Sequence, residues 1–337
     1  MIQVFSYKDK RIEEINITEL DKTDLSDKKK SKIWVVVKNA EKKDMDTLAD
    51  KFNIHPTTLE DMFSPQCRIK YEEMNDYTFI VFKAIKEIGQ LYINTDNLAM
   101  VFGESVLITV STNGNQTVDN LIENKKKLET LLSKGEDFIC HYILDKEMDR
   151  YVEAKDILGE DFRKFEAEFL RKPGKDVLEN LFTKELVLLE LRQKIESTTD
   201  MLLNLIKPTD NYIQNDLIPY FRDVYDHSFK TTESLKTILG RINGMRNTYQ
   251  SIVSMRMNET IRTLTILMAV MMPMTIVTGF YGMNVKLPLQ ENVHIYLYLA
   301  ILMVFASGII YLTSRKLGWI KDFEKAQEEK SDARRNV

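Results

Sequence analysis

Seven residues near the C-terminal end of the chain combine polar and flexible apolar side chains at helical spacing. They recur at intervals of three and four residues, which places them on one side of an α-helix that we call the 258–279 stripe. The stripe consists of Asn258, Ile261, Leu264, Met268, Met272, Thr275 and Gly279. Such a stripe could line a water-filled path. It could equally be a packing face in lipid, where small and polar residues also favour helix contacts.

Two uncharged runs must position this stripe. Residues 263–285 and residues 293–314 contain no charged side chain. At about 1.5 Å per residue, each run is long enough to cross a hydrocarbon core of roughly 30 Å. We therefore predict a first span over 263–285, an outer loop over 286–292 and a second span over 293–314. A buried hairpin in a soluble domain is the alternative, but two such runs in succession are rare in soluble cores.

The distribution of charge around the two spans predicts their orientation. Basic residues flank the hairpin on its open side, namely Arg246, Arg256 and Arg262 before it and Arg315, Lys316 and Lys321 after it. Because positive residues stay on the cytoplasmic side, we expect a multi-pass protein of the cell membrane, plasma or inner, with both termini in the cytosol. One hairpin cannot enclose a path for water, so conduction would require several copies in the lipid bilayer.

Three groups of residues carry a family resemblance. Tyr281-Gly282-Met283-Asn284 closes the first span, with Pro273 inside the span and Asn258 at its start. Upstream, the segments Pro219–His227 (PYFRDVYDH) and His55–Asp61 (HPTTLED) agree with the same pattern. In these features the chain resembles the CorA family of magnesium channels.

The resemblance implies a homopentamer with the first span lining the pore. Gly282, Met283 and Asn284 would form the selectivity filter at the outer mouth, and the 258–279 stripe would line the path below it. Leu264 and Met272 become candidates for a narrow apolar gate, since rings of such side chains close a pore by dewetting. Mg²⁺ holds its water shell tightly, and a collar of neutral amides can hydrogen-bond to that shell without stripping it.

The resemblance also implies that Mg²⁺ regulates the channel through carboxylates of the soluble domain. The matching positions are Glu60, Asp61, Asp145 and Asp223. Our hypothesis is that Mg²⁺ bridges Glu60 or Asp61 of one subunit to Asp223 of its neighbour and favours the closed state. Taken singly, each of these residues is an ordinary surface carboxylate.

The remaining chain predicts a cytosolic α/β layer domain and a helical stalk, so the fold class is an α+β membrane protein. Apolar, β-branched runs predict strands at 33–37, 77–83, 98–102 and 106–110, with helices at 44–52 and 56–63 between them. We expect the domains to be 1–135 (α/β domain), 136–207 (antiparallel helical pair), 208–262 (long stalk helix) and 315–337 (cytosolic tail), around the spans.

Composition narrows the function classes. The net charge of −4 argues against nucleic acid as a partner. Cys67 and Cys140 are the only cysteines, far apart, which argues against a disulfide framework or a zinc site. The sequence contains no phosphate-binding loop, nucleophile elbow, zincin motif or dinucleotide fingerprint, so we expect neither an enzyme nor a pump.

The sequence differs from many CorA relatives at two places, and these differences leave the preferred ion open. Many CorA relatives carry acidic residues in the outer loop, whereas Val285–Glu291 holds a lysine and one glutamate, and Asn247 stands where some relatives carry Asp. A Zn²⁺, Co²⁺ or Ni²⁺ transporter of the same fold is therefore an alternative, although no His or Cys cluster would select softer ions. From a different class, the hairpin could anchor a scaffold or sensor.

Overall fold

The chain divides into two compact units, Met1–Met245 and Arg246–Val337. The computed structural model describes residues 1–8, 10–20, 32–89, 91–171, 175–207, 212–285 and 294–318. The predicted outer loop, 286–292, and the part of the predicted tail from residue 319 onward lie outside the described residues.

A seven-stranded mixed sheet forms the centre of the first unit, counted over its described residues. The strands are β1 (Ile2–Lys8), β2 (Arg11–Ile15), β3 (Lys32–Lys38), β4 (Lys70–Glu73), β5 (Thr78–Ile88), β6 (Ile93–Gly103) and β7 (Val106–Ser111). Their order is β2-β1-β3-β7-β6-β5-β4. β3 and β7 pair in parallel, with Val35 opposite Ile108, and the other pairs are antiparallel.

The sequence of β3 explains why this strand lies inside the sheet. Its apolar run Ile33-Trp34-Val35-Val36-Val37 is buried without alternation. A strand covered on both faces carries such a continuous run, whereas a strand with one wet face alternates. The sheet must therefore carry helices on both sides.

Two short helices, α1 (Lys42–Phe52) and α2 (Pro56–Phe63), cover one face of the sheet. Their residues Leu48 and Met62 are fully buried in one apolar cluster with Val35 of β3. α2 starts with proline, whose missing N–H costs nothing in a first turn. Tyr77 fixes the start of α2, because its hydroxyl accepts a hydrogen bond from the His55 backbone N–H at 3.1 Å.

Four helices follow in the chain, namely α3 (Gln116–Glu123), α4 (Lys125–Lys134), α5 (Glu136–Arg171) and α6 (Lys175–Leu205). α5 attaches to the sheet through Tyr151, which packs edge-on against Phe82 and donates its hydroxyl to the Lys83 carbonyl at 2.6 Å. Lys184 of α6 pairs with Asp161 of α5, as expected where α6 runs back along α5.

Helix α7 (Ile218–Tyr281) is 64 residues long and belongs to both units. It begins after a 3₁₀ turn at Asn215–Leu217 rather than directly after residue 208, where the sequence prediction placed the stalk. Pro219 in its first turn is compatible with this start, since a first-turn residue needs no N–H donor. In the first unit α7 buries residues at intervals of three, four and seven, among them Phe221, Val224 and Leu235, and none of its residues after Met245 is buried.

The second unit contains the end of α7 and helix α8 (Ile295–Lys316). Both helices include an 18-residue stretch apolar enough to cross a membrane, with mean hydropathy 1.8 in α7 and 2.3 in α8. Almost none of either stretch is buried within the chain. Length and composition alone therefore make both helices candidate membrane spans.

Candidate ion path and metal-binding carboxylates

The Gly-Met-Asn segment forms a tight turn directly after α7. The Gly282 N–H donates to the Thr278 carbonyl at 2.9 Å, and the Met283 N–H lies 3.4 Å from the Phe280 carbonyl oxygen. A Cβ atom added to Gly282 would lie 2.8 Å from the Thr278 carbonyl oxygen, which is closer than real Cβ contacts come. Glycine at this position is thus a geometric requirement of the turn that leads to Asn284.

Asn284 is exposed at the end of this turn. Among the described residues it has no hydrogen-bond partner, so its amide is available to a ligand or to another chain. Met283 beside it is 53% exposed. In a single chain the predicted filter residues are therefore exposed at the protein surface rather than buried.

All seven residues of the 258–279 stripe are exposed in the single chain. The half-buried residues of the same segment form another face, which comprises Arg262, Ile266, Ala269, Val270, Pro273, Met274 and Val277. At about 100° per residue, the two faces point in roughly opposite directions. The stripe thus lies mainly away from α8, although Met272 also borders a groove beside α8. Its role as a pore lining stays a prediction.

A serine that the sequence prediction did not single out joins the two apolar helices. The Ser307 hydroxyl of α8 donates to the Val270 carbonyl of α7 at 2.9 Å. Pro273, three residues further along α7, has no N–H to donate to Ala269. The only available signal for Ser307 was its polarity within an apolar run, and that signal did not reveal its partner.

An open apolar groove lies between α7 and α8 around Pro273. Its volume is about 520 Å³, and no polar surface lines it. The lining residues are Ala269, Met272, Pro273, Ile276, Val277, Leu302, Met303, Ala306 and Ile310. Because the groove offers no polar atom as a ligand, it cannot hold an ion.

The four predicted regulatory carboxylates differ in their surroundings. Glu60 is exposed and, among the described residues, has no ion-pair partner. Asp61 beside it already has two partners. Its Oδ2 lies 2.6 Å from the Lys70 Nζ, and its Oδ1 accepts a weak hydrogen bond from the Cys67 thiol at 3.6 Å. The sequence prediction treated Glu60 and Asp61 as interchangeable, and their geometry makes them unequal.

Lys70 is held by several groups at once. Its Nζ lies 2.7 Å from Glu72 Oε1 as well as 2.6 Å from Asp61, and 5.1 Å from the centre of the Phe79 ring. Burial lowers the pKa of Lys70, but its hydrogen bonds to Asp61 and Glu72 outweigh burial, so the pKa is raised overall. The ammonium is therefore a permanent charge in this cluster.

Asp145 and Asp223 both lie near His141. The imidazole packs edge-on against Phe221, with ring centroids 5.3 Å apart. Burial lowers the pKa of His141, and the charges of Asp145 and Asp223 partly oppose that effect. The side chain of Asp223 is 69% exposed and 4.0 Å from His227. These two carboxylates thus share one neighbourhood on α5 and α7.

Within the described residues, no group of three His, Cys, Asp or Glu side chains comes close enough to hold a metal ion. The donor chemistry of Glu60 and Asp223 nevertheless suits a hard cation, since Mg²⁺ prefers carboxylate and water oxygens. A site built on them would need further ligands from water or from a second copy of the chain.

Comparison with known proteins identifies the family. The chain matches the family described as CorA-like Mg²⁺ transporter protein over residues 29–316, which is most of its length. The chain belongs to this family. The resemblance deduced from the Gly-Met-Asn motif is confirmed, and the chain is a CorA-family divalent-cation transporter embedded in a membrane.

Two relatives and one solved structure illustrate the match. The cobalt/magnesium transport protein CorA of Thermotoga maritima is 25% identical over 286 residues, or 84% of this chain and 82% of the relative. The putative metal ion transporter YfjQ of Bacillus subtilis is 26% identical over 277 residues, or 82% and 86%. The complete structure of the CorA magnesium transporter from Methanocaldococcus jannaschii superposes with a TM-score of 0.78 at 20% identity, covering 95% of this chain and 99% of that one. The predicted fold class is confirmed.

Proposed function

We propose that this CorA-family chain assembles as a homopentamer that conducts Mg²⁺ passively into the cytosol. The first span of each copy lines the pore, and Gly282, Met283 and Asn284 form the filter at its outer mouth. The chain lies in the cell membrane with both termini in the cytosol. The observation that carries the proposal is the exposed Asn284 amide, held by a tight turn at the end of a candidate membrane span.

The filter acts on the hydrated ion. Asn284 offers a neutral carbonyl oxygen, and five copies would form a collar that hydrogen-bonds to the water shell of Mg²⁺. Carboxylates at the same place would bind more tightly and slow release, whereas conduction needs binding that is favourable yet readily reversed. The rigid turn at Gly282 supports this role, because it fixes the direction of the next two residues.

The pore wall is the 258–279 stripe. Its exposure in the single chain supports this assignment, because residues that face neither the core nor α8 are available to face other copies. Asn258 and Thr275 supply polar side chains, and the Thr275 hydroxyl is already satisfied by the Met271 carbonyl at 3.1 Å. Leu264 and Met272 form apolar rings that close the path by dewetting.

Mg²⁺ on the cytosolic side closes the channel. In this scheme the ion bridges Glu60 of one subunit to Asp223 of its neighbour, with Asp145 close by, and it stabilises the closed state by its differential affinity. Asp61, the other carboxylate predicted here, is already neutralised by Lys70, so Glu60 is the better ligand on α2. If Asp223→Ala channels closed normally as internal Mg²⁺ rose, this gating scheme would be wrong.

Reconstitution tests conduction. Purified protein in Mg²⁺-free liposomes should show dye-reported Mg²⁺ uptake, and Asn284→Ala should reduce the rate at least tenfold while the protein still assembles as a pentamer. Asn243→Ala is the matched control, since it removes an exposed amide from α7 outside the first span. Equal rates for Asn284→Ala and the wild type would rule out the filter, and a monomer in lipid would rule out the pore.

Co²⁺ is the second candidate cargo. A relative covering most of the chain is named a cobalt/magnesium transport protein, and a filter that reads the hydration shell distinguishes two hexahydrated divalent ions only weakly. Uptake of Mg²⁺ in the presence of rising Co²⁺ gives the preference directly, and a Co²⁺ flux exceeding the Mg²⁺ flux would reverse the assignment of cargo. A scaffold function predicts no flux of either ion.

A further inference from the structure

The Lys70 ammonium lies between two carboxylates, those of Asp61 and Glu72. It donates to Asp61 at 2.6 Å and to Glu72 at 2.7 Å, so that two carboxylates from α2 and β4 converge on one cation. The Lys70 side chain is only 14% exposed, against 35% for Asp61 and 39% for Glu72. The cation is therefore internal to the cluster, while its two carboxylates reach the surface.

Several contacts fix the ammonium in this place. Lys70 lies on β4, whose backbone pairs with β5 and sets Lys70 opposite Val81. Its Nζ also lies over the Phe79 ring. α2, which carries Asp61, is pinned at its start by Tyr77. Lys70 and Asp61 thus stand on two ordered elements, the strand β4 and the helix α2, which hold the two side chains within reach of each other.

We propose that Lys70 is a tethered competitor for divalent cations, which occupies the Asp61–Glu72 carboxylate pair and thereby sets the Mg²⁺ concentration at which the channel closes. The inference rests on the proposed gating through Glu60 and Asp223. Because Asp61 is already paired with Lys70, Glu60 is the carboxylate of α2 that remains available to the metal. Lys70 also holds a positive charge against Asp61, the residue next to Glu60 on α2, and this charge weakens metal binding at Glu60.

Replacing Lys70 by methionine tests the proposal. Met keeps an unbranched apolar stem against Phe79 and removes the charge. Because a unit charge at roughly 7 Å from a divalent ion in water changes its binding by about tenfold, Lys70→Met should lower the midpoint of Mg²⁺-dependent closure about tenfold. The full-length protein is assayed twice, by liposome flux against internal Mg²⁺ and by the Mg²⁺ dependence of its thermal unfolding midpoint, which reports binding without transport.

Three further variants separate competition by Lys70 from a general effect of removing positive charge. Lys83→Met removes a lysine of the adjacent strand that donates to the Pro65 carbonyl and not to Asp61, so it should leave the Mg²⁺ midpoint within about twofold of the wild type. Asp61→Asn combined with Lys70→Met should abolish the gain in Mg²⁺ affinity, because the newly exposed ligand is gone. Lys70→Arg, which keeps the charge, should retain the wild-type midpoint within about threefold.

The outcomes distinguish this inference from the gating on which it rests. A wild-type protein whose flux and unfolding both ignore Mg²⁺ would overturn the gating and the inference together. If the wild type closes with Mg²⁺ but Lys70→Met keeps or raises the midpoint, only the tethered competitor is overturned. An equal shift in Lys83→Met would likewise overturn it, since the effect would then come from the overall field.

Discussion

At the scale of single residues, Gly282 shows how a missing side chain positions a functional one. A Cβ atom there would approach a backbone oxygen, which cannot move aside as the end of a flexible side chain can. Gly282→Ala should therefore displace the turn and reduce Mg²⁺ flux at least tenfold, while size exclusion shows the same oligomeric state as the wild type. Gly308→Ala on α8, where an added Cβ meets nothing within 4 Å, is the control. Unchanged flux in Gly282→Ala would contradict the rigid-turn account.

A buried carboxylate of the first unit predicts a pH dependence of stability. Burial raises the pKa of Glu136, although Ser105 donates its backbone N–H to it. A raised folded-state pKa means that the folded protein holds the proton more tightly than the unfolded chain, so stability falls as pH rises through that pKa. Glu136→Gln, which mimics the protonated form, should be more stable than the wild type at pH 7.5.

The difference in stability between Glu136→Gln and the wild type should also depend on pH. The advantage of Glu136→Gln should shrink as pH is lowered toward the ordinary glutamate pKa of about 4.3, because the unfolded wild type then begins to take up the proton as well. Thermal unfolding of the full-length protein between pH 4.5 and 8 measures this difference. The exposed Glu129→Gln serves as control, with a difference from wild type that stays near zero. A Glu136→Gln advantage independent of pH would contradict the burial argument.

The carboxylates that we propose as regulatory ligands show which part of a site can be predicted from sequence. Motif matching placed Glu60, Asp61, Asp145 and Asp223 on the chain, but it could not rank them. The pairing of Asp61 with Lys70 depends on β4, a four-residue strand whose sequence Lys-Tyr-Glu-Glu carries no apolar alternation. Ion pairs between separate elements follow from tertiary packing, and local periodicity does not contain that information.

At the scale of secondary structure elements, prediction succeeded where burial imposes a clear pattern. The central strands β3, β5, β6 and β7 correspond to the apolar runs that predicted them, because strands inside a layered domain bury nearly every side chain. The strands β1, β2 and β4 were not predicted. They lie on the flanks of the sheet, and β2 (Arg-Ile-Glu-Glu-Ile) buries none of its side chains fully.

Helices followed the same rule. The helical pair predicted over 136–207 corresponds to α5 and α6, because apolar positions recur over many turns. α4 was missed, since Leu128 and Leu132 are its only buried residues and charges surround them. The start of α7 was also misplaced, although Pro219 in the first turn is a recognised start signal that could have been used.

Ser307 carries a prediction about the contact between α7 and α8. Interhelical hydrogen bonds in membranes contribute on average about 0.6 kcal/mol, so Ser307→Ala should destabilise the protein by roughly that amount in lipid. Ser314→Ala is a matched control, because Ser314 is a similarly buried serine of α8 with no hydrogen bond among the described residues. Unfolding midpoints in lipid nanodiscs measure both variants. Equal losses would show that the Val270 contact is not the cause.

At the scale of the whole molecule, the first unit carries its own core. The apolar cluster around Val35, Leu48 and Met62 lies entirely within Met1–Met245. Residues 1–245 expressed alone should therefore fold as a water-soluble protein with a cooperative thermal transition, measured by circular dichroism. A fragment ending at residue 217, before α7, is the control and should be less stable, since it lacks Phe221, Val224 and Leu235, which α7 buries. An unfolded 1–245 fragment would contradict the division into units.

The driving force is also a property of the whole assembly. A divalent ion gains about 4.6 kcal/mol in crossing 100 mV, from roughly 2.3 kcal/mol per elementary charge. That energy corresponds to an equilibrium accumulation on the order of a thousandfold. Liposomes with equal Mg²⁺ on both sides should therefore take up Mg²⁺ when a potassium gradient and valinomycin make the inside negative, without ATP or a proton gradient.

The direction of that uptake separates passive conduction from coupled transport. Reversing the potassium gradient should reverse the Mg²⁺ flux, because a pore has no preferred direction beyond the electrochemical gradient. Asn284→Ala liposomes under the same potential control for leakage through lipid and should show little flux in either direction. Mg²⁺ movement that ignored the sign of the potential, or that appeared only with a proton gradient, would exclude a passive channel, because the pore that we propose contains no coupling step that could extract work from a second ion.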